Sequence, residues 1–142
     1  MKYRTVLCED NENVREIFNY ILQERGHEVF SYKDAGDCPL NSLIECICNL
    51  ANPCTDIILS DVSMPLVNGL KFVENLKKKG CKVKNIALVS GYWKDSNISR
   101  AKKIGCTVFH KPLKPGVLIE WLKVCEKNID PKRVLSEICS NK

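Results

Sequence analysis

The sequence predicts an α/β protein with a doubly wound, five-stranded parallel sheet, (βα)5 in outline. Three observations carry this. Short apolar runs alternate with longer segments of helical periodicity. Two of the runs, Ile57-Ile58-Leu59 and Ile86-Ala87-Leu88-Val89, are apolar on both faces, as strands inside a covered parallel sheet must be. Helical segments also end near glycines, Gly26, Gly80 and Gly105, where a left-handed residue stops a helix without Cβ strain.

Taken in order, Arg4–Glu9 reads as the first strand. Val14, Ile17, Phe18, Ile21 and Leu22 form the apolar stripe of a first helix, opened by a capping box of Asn13 and Glu16. Glu28–Tyr32 is a second strand. Leu40, Leu43, Ile44, Ile47, Leu50 and Ala51 predict a second amphipathic helix. Asp56–Ser60 is the third strand, and Leu70, Val73 and Leu76 mark the third helix. Asn85–Ser90 is the fourth strand, followed by a fourth helix over Lys94–Ile104. Cys106–Phe109 is the fifth strand, and Val117, Leu118, Trp121, Leu122 and Cys125 mark the fifth helix. Strand–helix alternation of this kind argues for helices on both faces of one sheet. Residues 1–128 are read as this domain. Residues 129–142 are a short extension, with Asp130 as N-cap, Pro131 as first helical residue, and Val134, Leu135 and Ile138 as one apolar face. The extension is too short for an output domain and is expected to pack back onto the domain or onto a partner.

Composition narrows the function classes. The 142 residues suit one core. No apolar run approaches the roughly 20 residues of a membrane span, and no signal-peptide core is present, so a cytoplasmic protein without membrane partners is expected. The net charge of +5 comes from scattered lysines on solvent faces. Nucleic-acid binding would want a denser basic stripe, so no nucleic-acid partner is expected. Nine cysteines are many for this length. Without a secretory signal they are expected to be reduced, with Cys8, Cys106 and Cys125 acting as small hydrophobes.

In an open parallel sheet, ligands bind beyond the carboxyl ends of the strands. Glu9 and Asp10 follow strand one, Asp61 follows strand three, Ser90-Gly91 ends strand four, and Lys111-Pro112 follows strand five. Each alone has an ordinary explanation as a cap or turn residue. Together they gather three carboxylates, a hydroxyl and an ammonium at one sheet edge. Such crowded carboxylates repel. A hard cation such as Mg²⁺ (or Mn²⁺) relieves the repulsion and leaves room for phosphate oxygens. Asp61 can attack phosphorus, while Lys111 and Ser90 can stabilise the transferred group.

At these residues the chain resembles the response-regulator receiver domain, a CheY-like and flavodoxin-like fold. Leu59-Ser60-Asp61-Val62-Ser63-Met64-Pro65 with Gly69 is similar to that family's phosphoacceptor motif, Glu9-Asp10 to its acidic pair, Ser90-Gly91 to its hydroxyl motif, and Lys111-Pro112 to its Lys-Pro. The likeness runs from about Arg4 to Glu126. It implies strand order 2-1-3-4-5 and phosphorylation at Asp61. Asp10, Asp61 and the main-chain carbonyl of Ser63 would hold Mg²⁺, with Glu9 acting through water, and Ser90 and Lys111 would act in the switch. A cis Lys111–Pro112 peptide is implied as well. The partners implied are a sensor histidine kinase or phosphotransfer protein upstream, and a protein target on the face of helix four, strand five and helix five. The chain would be a stand-alone phosphoacceptor in a phosphorelay, catalysing only its own phosphorylation and dephosphorylation and so not an enzyme.

Two departures stand out. The family places an aromatic switch residue where this chain has Val108, with Phe109 beside it. Tyr92 and Trp93, next to the switch loop, belong either to packing or to the partner face. The helix-two region, Asp37 to Cys54, is long and holds Cys38, Cys46, Cys48 and Cys54. A redox- or metal-responsive module using these cysteines is the alternative function. On a helix, however, Cys46 and Cys48 would point about 200° apart, so ordinary packing is expected there. A flavodoxin-like electron carrier is a third reading, weakened by the lack of a Ser/Thr/Gly-rich phosphate loop.

Overall fold

The structure is a computed structural model that describes residues 2–42, 46, 48 and 51–136. Five parallel strands, β1 (Tyr3–Cys8), β2 (His27–Tyr32), β3 (Ile57–Asp61), β4 (Asn85–Ser90) and β5 (Thr107–His110), form one sheet in the order β2-β1-β3-β4-β5. All four pairings are parallel, and the register sets Cys8 beside Ser60, Asp61 beside Val89, and Ser90 beside His110. Strand order and sheet type follow the expectation.

Alternating residues of the central strands bury against opposite layers, as the two-residue strand period requires. Leu7, Ile57, Leu59, Ala87 and Val89 pack with Phe18 and Leu22 of α1 (Glu12–Glu24) and with Leu118, Leu122 and Cys125 of α4 (Pro115–Asn128). Val6, Cys8, Ile58, Ile86 and Leu88 pack on the other side. They meet Leu70, Phe72, Val73 and Leu76 of α2 (Gly69–Lys78) and Ala101 of α3 (Asp95–Lys103). Gly26, Gly80 and Gly105 all have positive φ, as the helix-stop reading requires. The first helix is capped differently from expectation. Asn11, not Asn13, is the N-cap, and its side chain accepts the Val14 amide.

The second helix is the main departure. Among the described residues, the stretch between β2 and β3 contains two 3₁₀ turns, Ala35–Asp37 and Pro39–Ser42, and no α-helix. Leu40 lies in the second turn and Ala51 in a bend. Leu43, Ile44, Ile47 and Leu50 lie outside the described residues. The described domain thus has four α-helices. The expected helices four and five are α3 and α4.

The C-terminal extension is not helical where described. Asp130 accepts the Lys132 amide through its side chain and the Arg133 amide through its carbonyl, a single turn. The chain then runs extended and donates from Val134 to the Ala51 carbonyl and from Ser136 to the Pro53 carbonyl. Ile138 lies outside the described residues. Packing back onto the domain is as expected, but through strand-like pairing instead of an apolar helix face. No helix among the described residues is long and apolar enough to cross a membrane.

Candidate functional site

The carboxyl ends of β1, β3 and β5 converge on Asp61. The Asp61 carboxylate is almost completely buried, and its Oδ2 accepts a hydrogen bond from Lys111 Nζ at 2.9 Å. Lys111 Nζ also lies 3.6 Å from Glu9 Oε1. One carboxylate oxygen from each of Glu9, Asp10 and Asp61 falls within 4.8 Å of the others. Glu9 is buried and held by the Asn11 amide, which donates to Oε2, while Arg15 donates to its carbonyl. Asp10 is exposed.

The electrostatics follow from this crowding. Burial, with Asp10 alongside, pushes the Asp61 carboxyl up to about 7, against the pull of Lys111. Burial also raises Glu9. Asp10 is lowered by its hydrogen bond with Asp61. Burial works against the Lys111 ammonium, but Asp61, Glu9 and Asp10 outweigh it and raise its pKa. Asp61 Oδ1 is buried without any hydrogen-bond partner. A buried acceptor of that kind is costly unless a cation or donor meets it. Three carboxylate donors, one with an unfilled oxygen, are what a hard divalent cation binds. The residues present therefore fit Mg²⁺ (or Mn²⁺).

Backbone packing fixes where Asp61 sits. Gly69, the first residue of α2, donates its amide to the Val62 carbonyl at 2.8 Å. A Cβ at Gly69 would stand 2.0 Å from the Asp61 carbonyl oxygen. The intervening loop, which contains Ser63, is tied by Asp34. This buried side chain accepts the amides of Leu66, Val67 and Gly36. Asp34 went unnoticed in the sequence, although an Asp before Ala35-Gly36 is the composition of an Asx turn. Ser63 is exposed, two residues beyond Asp61.

The switch candidates are placed as follows. Ser90 is buried at the end of β4, but its hydroxyl donates to the Tyr92 carbonyl at 2.9 Å and accepts the Tyr92 amide. It is therefore engaged with its own loop. Lys111 donates its amide to the Ser90 carbonyl, and the Lys111–Pro112 peptide is cis. Tyr92 is 75% exposed. Trp93 is half-buried against the α2–α3 layer, and its indole N–H donates to the Phe109 carbonyl at 2.8 Å. Val108 packs on that same layer, whereas Phe109 packs on the other, edge-on to Trp121 at 5.9 Å. Phe109 thus does not stand in for an aromatic at position 108, because neighbouring strand residues face opposite ways. Trp93 packs on the same layer as Val108.

With this geometry in hand, comparison with known proteins decides the family. Residues 5–123 match the model of the response regulator receiver domain. The chain belongs to that family. The phosphate regulon transcriptional regulatory protein PhoB of Escherichia coli is 24% identical over 136 residues, covering 94% of this chain and 56% of PhoB. A probable transcriptional regulatory protein of Picosynechococcus is 33% identical over 79 residues, 56% of this chain and 31% of that protein. The chain spans about half the length, or less, of these curated relatives. Among solved structures, the receiver domain of HemR from Leptospira biflexa superposes with a TM-score of 0.74 at 20% identity, covering 92% of this chain and 98% of that one. Chemotaxis protein CheY4 of Vibrio cholerae gives 0.70 at 23% identity, covering 88% and 99%. Likeness at these identities shows the fold. This receiver domain keeps the five-stranded sheet and has four α-helices among its described residues.

Proposed function

We propose that this receiver domain accepts a phosphoryl group on Asp61 from the phosphohistidine of a sensor kinase or phosphotransfer protein. The supporting observation is the buried Asp61 carboxylate, with Oδ2 on Lys111 and Oδ1 unpartnered, beside Glu9 and Asp10. An Asp61 oxygen bonds to phosphorus as the donor's phosphorus–nitrogen bond breaks, and the electron pair of that bond returns to the donor imidazole. Lys111 stays within reach of the new negative charge. Glu9, Asp10, Asp61 and the main-chain carbonyl of Ser63 would hold the divalent cation. When bound, Mg²⁺ supplies charge neutralisation to the carboxylates and to the phosphoryl oxygens. The domain turns over no outside substrate, and hydrolysis of its own acyl phosphate resets it.

Ser90 carries the output. Its hydroxyl leaves the Tyr92 main chain to donate to a phosphoryl oxygen, and the loop from Gly91 to Lys94 follows. That motion biases the face made by α3, β5 and α4, where Tyr92 is presented to a protein target.

The test is an intact-mass spectrum after incubation with Mg²⁺ and a small-molecule phosphodonor, with a cognate kinase as the second donor. A gain of one phosphoryl group is expected, absent from folded Asp61→Asn and from chelated protein. Folded parent protein that gains nothing from either donor refutes the reading.

A further inference from the structure

A second cluster of ligand-type side chains lies at the opposite end of β3 from Asp61. One sulfur from each of Cys46, Cys48, Cys54 and Cys81 falls within 4.8 Å of the others, and all four residues are buried. Cys48 and Cys81 are 3.7 Å apart at Sγ, and Cys54 and Cys81 are 3.9 Å apart. Three of the residues come from the β2–β3 segment, whose described residues form no α-helix. The fourth follows α2. Two expectations are thereby corrected. Cys46 and Cys48 are not on a helix and do not point apart, and Cys38 does not join them, because its free thiol is hydrogen-bonded with that of Cys8.

We propose that Cys46, Cys48, Cys54 and Cys81 form a tetrathiolate site for a single thiophilic divalent cation of zinc's kind, which fastens the β2–β3 segment to the turn after α2. The spacing identifies the ligand class. Tetrahedral coordination with Zn–S bonds of about 2.3 Å sets sulfurs about 3.8 Å apart, and the two printed separations bracket that value. An iron–sulfur cluster distributes its cysteines over several irons and holds them further apart. Unbonded sulfurs at these separations are also not disulfides, which need about 2.05 Å.

The surroundings are those of a bound thiolate. The Lys82 amide donates to Cys48 Sγ at 2.9 Å, directly after Cys81. Backbone N–H groups aimed at a metal-bound sulfur orient the ligand and temper its charge. Gly80, with φ +91, turns the chain from α2 into Cys81. The Cys46 amide donates to the Lys79 carbonyl at 2.8 Å, so the two ligand segments already share a backbone bond. Four thiolates on one dication carry a net negative charge, and Lys77, Lys79 and Lys82 lie along the segment that carries Cys81. A metal crosslink supplies folding energy, and here it would do so for a segment whose described residues form no α-helix.

The proposal stands apart from phosphoryl chemistry at Asp61, and phosphoryl uptake can be read on the same samples. The full chain is purified under reducing conditions without oxygen or chelator, and its metal content is measured. One equivalent of zinc per chain is expected. Co²⁺ added to reduced, metal-free protein should give the sulfur-to-metal charge-transfer band and the intense visible bands of tetrahedral thiolate coordination. Those bands should be lost in Cys48→Ser and kept in Cys106→Ser, whose cysteine lies outside the cluster. Chelation should lower the melting temperature, and zinc should restore it. If Cys48→Ser does not fold, the cobalt spectrum of the parent still decides. No retained metal together with no thiolate–cobalt spectrum overturns the proposal. So does iron with inorganic sulfide, or a mass deficit showing these cysteines paired as disulfides in the reduced preparation.

Discussion

At the scale of single residues, Gly69 sets the position of the phosphoacceptor. The start of α2 lies so close to the end of β3 that a methyl group at position 69 would overlap the Asp61 carbonyl. The backbone must shift to admit it, and overpacking of a close contact costs about 1–3 kcal/mol. Gly69→Ala is therefore expected to lower the denaturant midpoint by a corresponding amount. It should also slow phosphoryl uptake beyond what stability accounts for, because the displaced group is the Asp61 main chain itself. Urea titration and time-resolved intact mass on the same protein check both parts. Full-rate phosphorylation in a destabilised variant would mean that the crowding is structural only. Asp34 acts at the same scale. Its three backbone bonds hold the loop that contains Ser63, and a group placed that way positions ligands without touching the phosphoryl group.

At the scale of elements, the extension after α4 is fastened by charge. Arg133 makes two hydrogen bonds to Asp56 just before β3, with side chains only 8% and 2% exposed. Arg4 adds a bond to the Ser136 carbonyl at 2.6 Å and one to the Cys54 carbonyl at 3.1 Å. Removing one partner of a buried pair strands the other charge, at a cost of about 3–5 kcal/mol. Arg133→Ala should therefore cost about 3 kcal/mol in urea unfolding, at the low end because the Arg4 amide still reaches Asp56. A cost near that of an exposed pair would show that the extension does not support the fold. This fastening was not legible in the sequence, since Arg133 and Asp56 are 77 residues apart. The strands, by contrast, were legible, because buried parallel strands write continuous apolar runs. The expected second helix differs for a related reason. Leu40, Cys46 and Cys48 are buried without lying in an α-helix, and apolar periodicity does not distinguish a helix from other chain that buries apolar residues. Asp61, Glu9, Asp10 and Lys111 were legible as a site because parallel topology brings strand ends together. The cysteine cluster was not, because Cys81 joins it only through the fold.

At the scale of the whole molecule, the layer of α1 and α4 is joined to the edge of the sheet around His27. This buried imidazole on β2 lies 2.7 Å from Glu126 of α4 through Nε2 and 2.8 Å from the Thr5 hydroxyl through Nδ1. Arg25, at the end of α1, makes two hydrogen bonds to the same Glu126. A neutral ring with its proton on Nε2 donates to Glu126 and accepts from Thr5, so both nitrogens are satisfied without a charge. Tyr3 packs against the ring at 4.9 Å between centroids. Burial lowers the pKa of His27 from its ordinary 6.5 and prevails over the pull of Glu126, with Arg25 acting in the same direction and Asp56 against it. Burial alone would raise Glu126, but Arg25 and His27 outweigh it and the carboxyl is lowered from 4.5. Both groups bind protons more readily in the unfolded chain. Their stabilising contribution is complete above about pH 6.5, is lost through His27 as pH falls below that value, and is lost through Glu126 only below about 4.5. The carboxylates around Asp61 oppose this trend, since burial raises two of them, so the parent protein alone is not diagnostic. The difference between the parent and His27→Gln is, because glutamine keeps a donor toward Glu126 and cannot take up a proton. The melting temperature of the parent is expected to fall more than that of His27→Gln between about pH 7.5 and about pH 5.5, with Glu126 still ionised throughout. Parallel pH profiles would mean that His27 holds its proton equally well folded and unfolded, and a parent that gains stability relative to His27→Gln as pH falls would mean that the imidazole is protonated in the fold and that its joint with Glu126 and Arg25 is a charged triad.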